Sequence, residues 1–214
     1  MMSFIPDTIV DYAEKHTSDE PILLQELRRE TWQKILAPRM ISGHLQGRLL
    51  SIISKLKQPK TILEIGTFTG YSTLCLAEGL AKNGVIHTID HNEELVDFQK
   101  KYFLKSNFGT NIIQHTGIAT RLIPKIQATY DLVFIDADKK NYSRYFNLVI
   151  NKLNRGGIIL SDNVLWSGKV TQSLEKNDLD TRSLVIYNKK LKNDSRIETV
   201  LLPFRDGISI SIKK

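Results

Sequence analysis

Cysteine is nearly missing: the 214 residues contain one, Cys75. That excludes an internal disulfide and a cysteine-built zinc cage. Cys75 falls at an apolar helical position and reads as a packing residue. Long apolar runs are missing as well. None reaches the ~20 residues that a membrane helix needs. The start, MMSFIPDTIV, has neither the basic leader nor the apolar core of a secretory signal. A cytoplasmic protein without membrane attachment is the expectation. No internal repeat or low-complexity tract occurs. The five histidines, His16, His44, His87, His91 and His115, lack the paired spacing of zinc sites. Each reads as a surface or core polar residue.

An acidic excess is absent too. Lys and Arg number 30 against 23 Asp and Glu, a net charge of +7. Residues 1–107 hold 13 of each sign, so residues 108–214 supply the whole excess. A basic half can attract anions, nucleic acid included. The charges are scattered, however, and Lys189-Lys190-Leu191-Lys192 is the densest cluster. No aromatic-interleaved basic run marks a nucleic-acid groove, and a solvated surface explains the excess more simply.

What is present suffices for one domain with a sizeable core. Apolar residues recur at three- and four-residue intervals near 6–15, 20–36 and 42–56, which predicts an N-terminal helical segment over residues 1–56. Residues 57–214 alternate between strand and helix. Strands are expected at 61–66, 85–90, 111–116, 131–137, 157–162, 196–203 and 207–214. Helices are expected after Gly70 up to about Gly84, and over 92–107, 119–128, 140–154 and 181–193. Five β-then-α units in series predict an α/β doubly wound, mainly parallel sheet. The short Phe204-Arg205-Asp206-Gly207 link makes the last two strands antiparallel to each other.

In such sheets ligands bind at the carboxyl ends of the strands. The first strand runs into Glu64-Ile65-Gly66-Thr67-Phe68-Thr69-Gly70, and the second ends in Asp90. Gly66 and Gly70 allow a tight turn against a ligand, and Asp90 can accept ribose hydroxyls. Phe68 stands where a phosphate-binding loop needs glycine, and Glu64 repels phosphate. A nucleoside that carries an amino acid and no phosphate suits this turn, and S-adenosylmethionine is such a molecule. A turn that uses glycine only for packing is the rival reading.

Asp136 and Asp138 end the fourth strand, and Asp162-Asn163 end the fifth. Neighbouring strand tips would gather oxygen donors of the kind that hold Mg²⁺, Ca²⁺ or Mn²⁺. Helix capping is the alternative for each residue alone. Lys139 follows closely, and a cation beside it would favour its neutral, basic form. It could equally be a surface lysine. Trp166 could wall an aromatic pocket or belong to the core.

With these residues in place, the chain resembles the cation-dependent O-methyltransferases, the group that contains the catechol and caffeoyl-CoA enzymes. LEIGTFTGYSTL, FIDADKKNY, SDNVLWSGKV and LPFRDGISI carry the resemblance, over roughly residues 38–214. It implies a Rossmann-like class I methyltransferase fold whose seven-stranded sheet has a reversed last strand. It implies Asp136, Asp162 and Asn163 as metal ligands and Lys139 as the base. It implies Met40, Ser42, Glu64, Gly66, Thr67, Ser72, Asp90, Ala119 and Asp138 as cofactor contacts, with Asp136, Trp166 and Ser167 on the acceptor side. Ser167 replaces the Asn of the plant enzymes, and the N-terminal segment shows no match to theirs. A CoA thioester is therefore not implied. A catechol-like small molecule is the expected acceptor, and a homodimer the expected assembly. Two other readings remain: methylation of a hydroxylated uridine in tRNA, and a module that binds S-adenosylmethionine without catalysis.

Overall fold

The computed structural model describes residues 5–214. Three helices come first: α1 (Asp7–Lys15), α2 (Ile22–Lys34) and α3 (Gly43–Lys57), with a 3₁₀ turn at Pro38–Met40 between the last two. Pro21 is the N-cap residue of α2, just outside the first turn, where its missing N–H costs nothing. Then follow β1 (Thr61–Ile65), α4 (Tyr71–Ala77), β2 (Val85–Asp90), α5 (Val96–Lys105), β3 (Ile112–Thr116) and α6 (Ala119–Leu122). The chain continues through β4 (Tyr130–Ile135), α7 (Tyr142–Val149), β5 (Leu153–Asp162), α8 (Leu179–Asn193), β6 (Ile197–Leu202) and β7 (Ile208–Lys213).

The seven strands form one sheet in the order β3-β2-β1-β4-β5-β7-β6. The first five are parallel, and β7 runs antiparallel to both β5 and β6. This is the expected Rossmann-like class I methyltransferase sheet with its reversed last strand. Alternation along the central strands shows why both faces are covered. Leu63 and Ile65 of β1 and Val133 and Ile135 of β4 enter one apolar cluster, with Tyr142, Phe146 and Leu184. Ile62 of β1 and Leu132 and Phe134 of β4 enter the other, with Leu27, Leu50 and Leu76. A strand buried on both faces is a near-continuous apolar run, as ILEI and LVFI are. The N-terminal helices α2 and α3 thus help to close one face of the sheet.

Three expected boundaries move. The helix expected over 119–128 shrinks to α6 and a 3₁₀ turn at Ile123–Lys125. Pro124 lacks the N–H that would continue it. The helix expected to reach Gly84 ends at Ala77, and Gly79 just beyond it lies against α3. A Cβ there would come within 2.1 Å of the Ser54 carbonyl carbon. The helix expected over 140–154 stops at Val149, and β5 already begins at Leu153. Gly156 and Gly157 lie inside that strand. The register against β4 shifts between Tyr130 and Leu132, and Gly156 takes a left-handed φ of +68°. Glycine reads here as a bulge within a strand rather than as a helix stop.

Candidate active site

β1 has β2 on one side and β4 on the other, so the crevice between their carboxyl ends is the sheet's switch point. The turn that follows β1 is built from left-handed residues: Gly66 at φ +101°, Phe68 at +49° and Gly70 at +86°. The Thr67 and Phe68 N–H groups donate to Asp90 Oδ2 at 3.0 and 2.8 Å, and the Asn92 N–H donates to Oδ1 at 2.9 Å. Asp90 therefore holds the turn in place from the tip of β2, besides any ligand it meets. Glu64 is fully buried beneath the turn. Ser72 and Thr88 hydroxyls each donate to it at 2.6 Å, and Thr73 donates to it as well. Burial pushes its carboxyl up to about 7, with the hydroxyls pulling the other way. A buried carboxylate held by neutral donors is suited to an incoming cation.

Asp136 lies one residue beyond β4, and Asp162 and Asn163 lie at the end of the adjacent β5. Lys139 joins them. It is 8% exposed, and its ammonium has three donors. They reach Asp136 Oδ1 at 3.2 Å, Asn163 Oδ1 at 2.7 Å and the Tyr142 hydroxyl at 2.8 Å. Tyr142 in turn donates to the Asp162 carbonyl at 3.0 Å. Burial, and after it the charge of Asp136, pushes the Asp162 carboxyl up to about 6. Two carboxylates close enough to oppose each other's ionisation, with an amide oxygen beside them, fit a hard divalent cation. No group of three or more His, Cys, Asp or Glu stands together among the described residues. Asp136, Asp162 and Asn163 are thus the oxygen groups that could face a cation here. Asn163 has a left-handed φ of +56°. Asn tolerates that conformation better than most residues, and such strain clusters at functional sites.

The remaining expected residues are distributed unevenly. Ser42 is buried and Met40 is 60% exposed, both just ahead of α3. Ala119 is buried at the start of α6. Asp138 does not join the Asp136 group through its carboxylate. It accepts from Asn141 Nδ2 at 2.5 Å and from the Tyr145 hydroxyl. Trp166 packs against the core, and its ring centroid lies 5.7 Å from Lys139 Nζ. The Ser167 N–H donates to Asp206, and Val164 and Leu165 donate to the Gly207 and Asp206 carbonyls at 3.1 and 2.9 Å. The turn between β6 and β7 therefore pins the loop after β5.

Four residues enter the site that the sequence pattern did not single out: Gln46, Tyr142, Arg205 and Asp206. Gln46 Nε2 donates to Asp162 Oδ2 at 2.7 Å, and Arg205 Nη1 donates to Gln46 Oε1 at 2.5 Å. Only the position of Tyr142, three residues beyond Lys139 in a helix start, carried a local signal. His87 and His115, which lack paired spacing, meet across β2 and β3 with ring nitrogens 3.0 Å apart. Two shallow clefts, of about 330 and 460 Å³, lie elsewhere and share no residue with this site. They are lined by Lys55, Gln58 and Lys82, and by Lys60, Asp131 and Asn154.

Comparison with known proteins agrees with this geometry. A family model described as O-methyltransferase matches residues 14–214, which extends the likeness well ahead of residue 38. The chain is 35% identical over 205 residues to caffeoyl-CoA O-methyltransferase of Petroselinum crispum, covering 89% of this chain and 83% of that enzyme. It is 33% identical over 182 residues to tricin synthase 2 of Oryza sativa, covering 80% of this chain and 62% of that protein's length. In structure it is similar to a methyltransferase of Podospora anserina bound to S-adenosylhomocysteine, with a TM-score of 0.89, 27% identity and full coverage of both chains. With the sheet, the glycine turn and the strand-tip cluster in place, the match over nearly its whole length shows that this chain belongs to the O-methyltransferase family.

Proposed function

We propose that this S-adenosylmethionine-dependent O-methyltransferase works with a divalent cation and methylates one hydroxyl of a vicinal-dihydroxy, catechol-like small molecule. The observation that carries the reading is Lys139 Nζ, buried and hydrogen-bonded to Asp136 and Asn163 beside Asp162. The S-adenosylhomocysteine-bound relative and the phosphate-excluding turn support the cofactor.

Asp136, Asp162 and Asn163 would hold the cation. Bound there, a divalent cation is a Lewis acid that makes the acceptor hydroxyl more acidic. Lys139 Nζ, held by Tyr142 beside Asp136 and Asn163, is the group placed to take the acceptor hydroxyl proton. Trp166 beside Lys139 offers a wall for an aromatic acceptor. Glu64 and Asp90 would receive the amino and ribose groups of the cofactor. Positioning the acceptor oxygen in line with the sulfonium methyl supplies much of the acceleration.

The test is methyl transfer to a panel of catechols and matched monophenols, before and after EDTA and with Mg²⁺ restored. Activity on the catechols alone, lost with EDTA and regained with Mg²⁺, is expected. Equal rates after metal removal would overturn the metal reading, and equal rates on monophenols the acceptor reading.

Glu64 yields a second expected result. Burial pushes its carboxyl up to about 7, and a cofactor ammonium above it favours the ionised form. Affinity for S-adenosylhomocysteine should therefore rise as pH rises towards about 7 and level off above it. In Glu64→Gln it should be weaker and flat over that window. Calorimetric titration at several pH values measures both, and a pH-independent wild type would remove Glu64 from this role. Unliganded stability has the opposite sign. A carboxyl raised on folding makes stability fall as pH rises from its ordinary range towards 7.

A further inference from the structure

Arg205 stands in the turn between β6 and β7 with a left-handed φ of +51°, two residues before Gly207 at +87°. An arginine gains nothing from that backbone, where glycine is the low-cost residue. Its side chain explains its presence. Nη1 donates to the Ser42 carbonyl and to Gln46 Oε1, both ahead of or within the first turn of α3. Gln46 is 1% exposed, and its Nε2 donates to the buried Asp162 Oδ2 at 2.7 Å.

The direction of this chain matters. A glutamine amide can rotate and exchange its oxygen for its nitrogen, and a carboxylate partner accepts only. Arginine donates only, and it cannot be deprotonated in a protein. Arg205 and the Asp162 carboxylate therefore demand the same orientation of Gln46, with Oε1 towards the guanidinium and NH₂ towards Asp162, and Arg205 locks the amide from the far side. We propose that Arg205 is a positioning residue: through Gln46 it orients the Asp162 carboxylate for a divalent cation. The proposal rests on the metal-dependent reading for its consequence, and on the hydrogen bonds alone for its mechanism.

The variants are Arg205→Gly, Arg205→Lys and Gln46→Leu, each compared with wild type by two measurements. The first is the ¹⁵N–¹H signal of the Gln46 side-chain amide, assigned by its disappearance in Gln46→Leu. In wild type its two protons should be distinct and protected from exchange with water. In Arg205→Gly they should exchange freely. The second is Mn²⁺ affinity by titration calorimetry on the unliganded protein. Removing a group that orients a metal ligand typically weakens binding about 10–100-fold, and that loss is expected in Arg205→Gly and Gln46→Leu. Arg205→Lys keeps a donor and should restore part of it.

A purely structural role predicts a different pattern. Glycine relieves the left-handed backbone, so Arg205→Gly should melt no lower than wild type while still losing Mn²⁺ affinity. A lower melting temperature with unchanged affinity would overturn the proposal. So would an unchanged Gln46 signal in Arg205→Gly. If wild type binds no Mn²⁺ at all, the metal-dependent reading fails, and the Gln46 signal still decides whether Arg205 sets the amide.

Discussion

Lys139→Met is expected to lower kcat for a catechol by about 10²–10⁴-fold near pH 7, the usual worth of a positioned general base. KM should move little, because Nζ meets the reacting hydroxyl and not the acceptor's binding surface. Methionine has nearly the same length and apolar stem, so the buried volume is kept. What goes is the one group hydrogen-bonded at once to Asp136 Oδ1, Asn163 Oδ1 and Tyr142. The residual rate should climb with pH, as the acceptor ionises without help from the protein. Arginine should not rescue it, since a guanidinium stays charged and cannot accept the proton. Initial rates over a range of pH on the three proteins measure this. A loss of less than tenfold, or rescue by Lys139→Arg, would show that Lys139 only fills space beside Asp136.

Gly66→Ala should be the most disruptive small substitution in the turn. Gly66 lies between two strands: its N–H donates to the Ile89 carbonyl at 2.9 Å, and the Asp136 N–H donates to the Ile65 carbonyl at 2.8 Å. Its φ is +101°, and a Cβ there would stand 1.8 Å from the Asp136 carbonyl oxygen. No side-chain rotation relieves a clash between a Cβ and backbone. Either β4 moves away, carrying Asp136 with it, or the turn rebuilds. A cost of about 3–5 kcal/mol is expected, at the upper end for a point substitution. In a chain of this size that lowers the melting temperature by on the order of 10 °C. Gly156→Ala is the control. It shares a left-handed φ, +68°, but a Cβ there meets nothing within 4 Å. It should cost only the backbone term, about 1 kcal/mol, and leave Mn²⁺ affinity unchanged. Thermal melts with metal titrations separate the two. Equal melting temperatures for the pair would mean that the Gly66–Asp136 contact is not tight.

Both results follow from how closely the tips of β1, β4 and β5 are drawn together. The N-terminal helices contribute to the same point. α3 is packed under α4 at Gly47, where a Cβ would lie 2.7 Å from the Tyr71 ring. Tyr71 in turn donates to the buried Glu20, which Arg28 meets at 3.0 Å. The segment that ends in Ser42 and Gln46 is thus held from below by packing and from above by Arg205. Arg205 meets this segment directly, and its neighbour Asp206 meets the loop after β5.

Much of this was legible in the amino-acid order. A strand buried on both faces reads as a near-continuous apolar run, and TILEI, DLVFI and GIIL are such runs. The run of residues between them, with Gly66 and Gly70 in the first turn, specifies β/α units and leaves acids at the strand tips. That is local information, set by backbone sterics and by which side chains avoid water. From it follow the sheet, its reversed last strand, the turn that excludes phosphate, and the candidate roles of Asp136, Asp162, Asn163 and Lys139. Glycine was the least reliable local sign, because the same residue stops a helix, relieves a bulge at Gly156 or admits a neighbour at Gly79.

The tertiary structure alone decided what those tips touch. Gln46 reaches Asp162 across 116 residues of chain, and Arg205 reaches Gln46 across 159. His87 and His115 meet because β2 and β3 are neighbours, and Glu64 gathers hydroxyls from α4 and from β2. Such contacts depend on strand order and on how helices settle on the sheet. Those are set by the summed burial of the whole core, which no short stretch of sequence contains. The chain's residues therefore specify their own strand or turn, while the three acceptors around Lys139 and the arginine behind Asp162 come together only once β1, β4, β5 and β7 lie side by side.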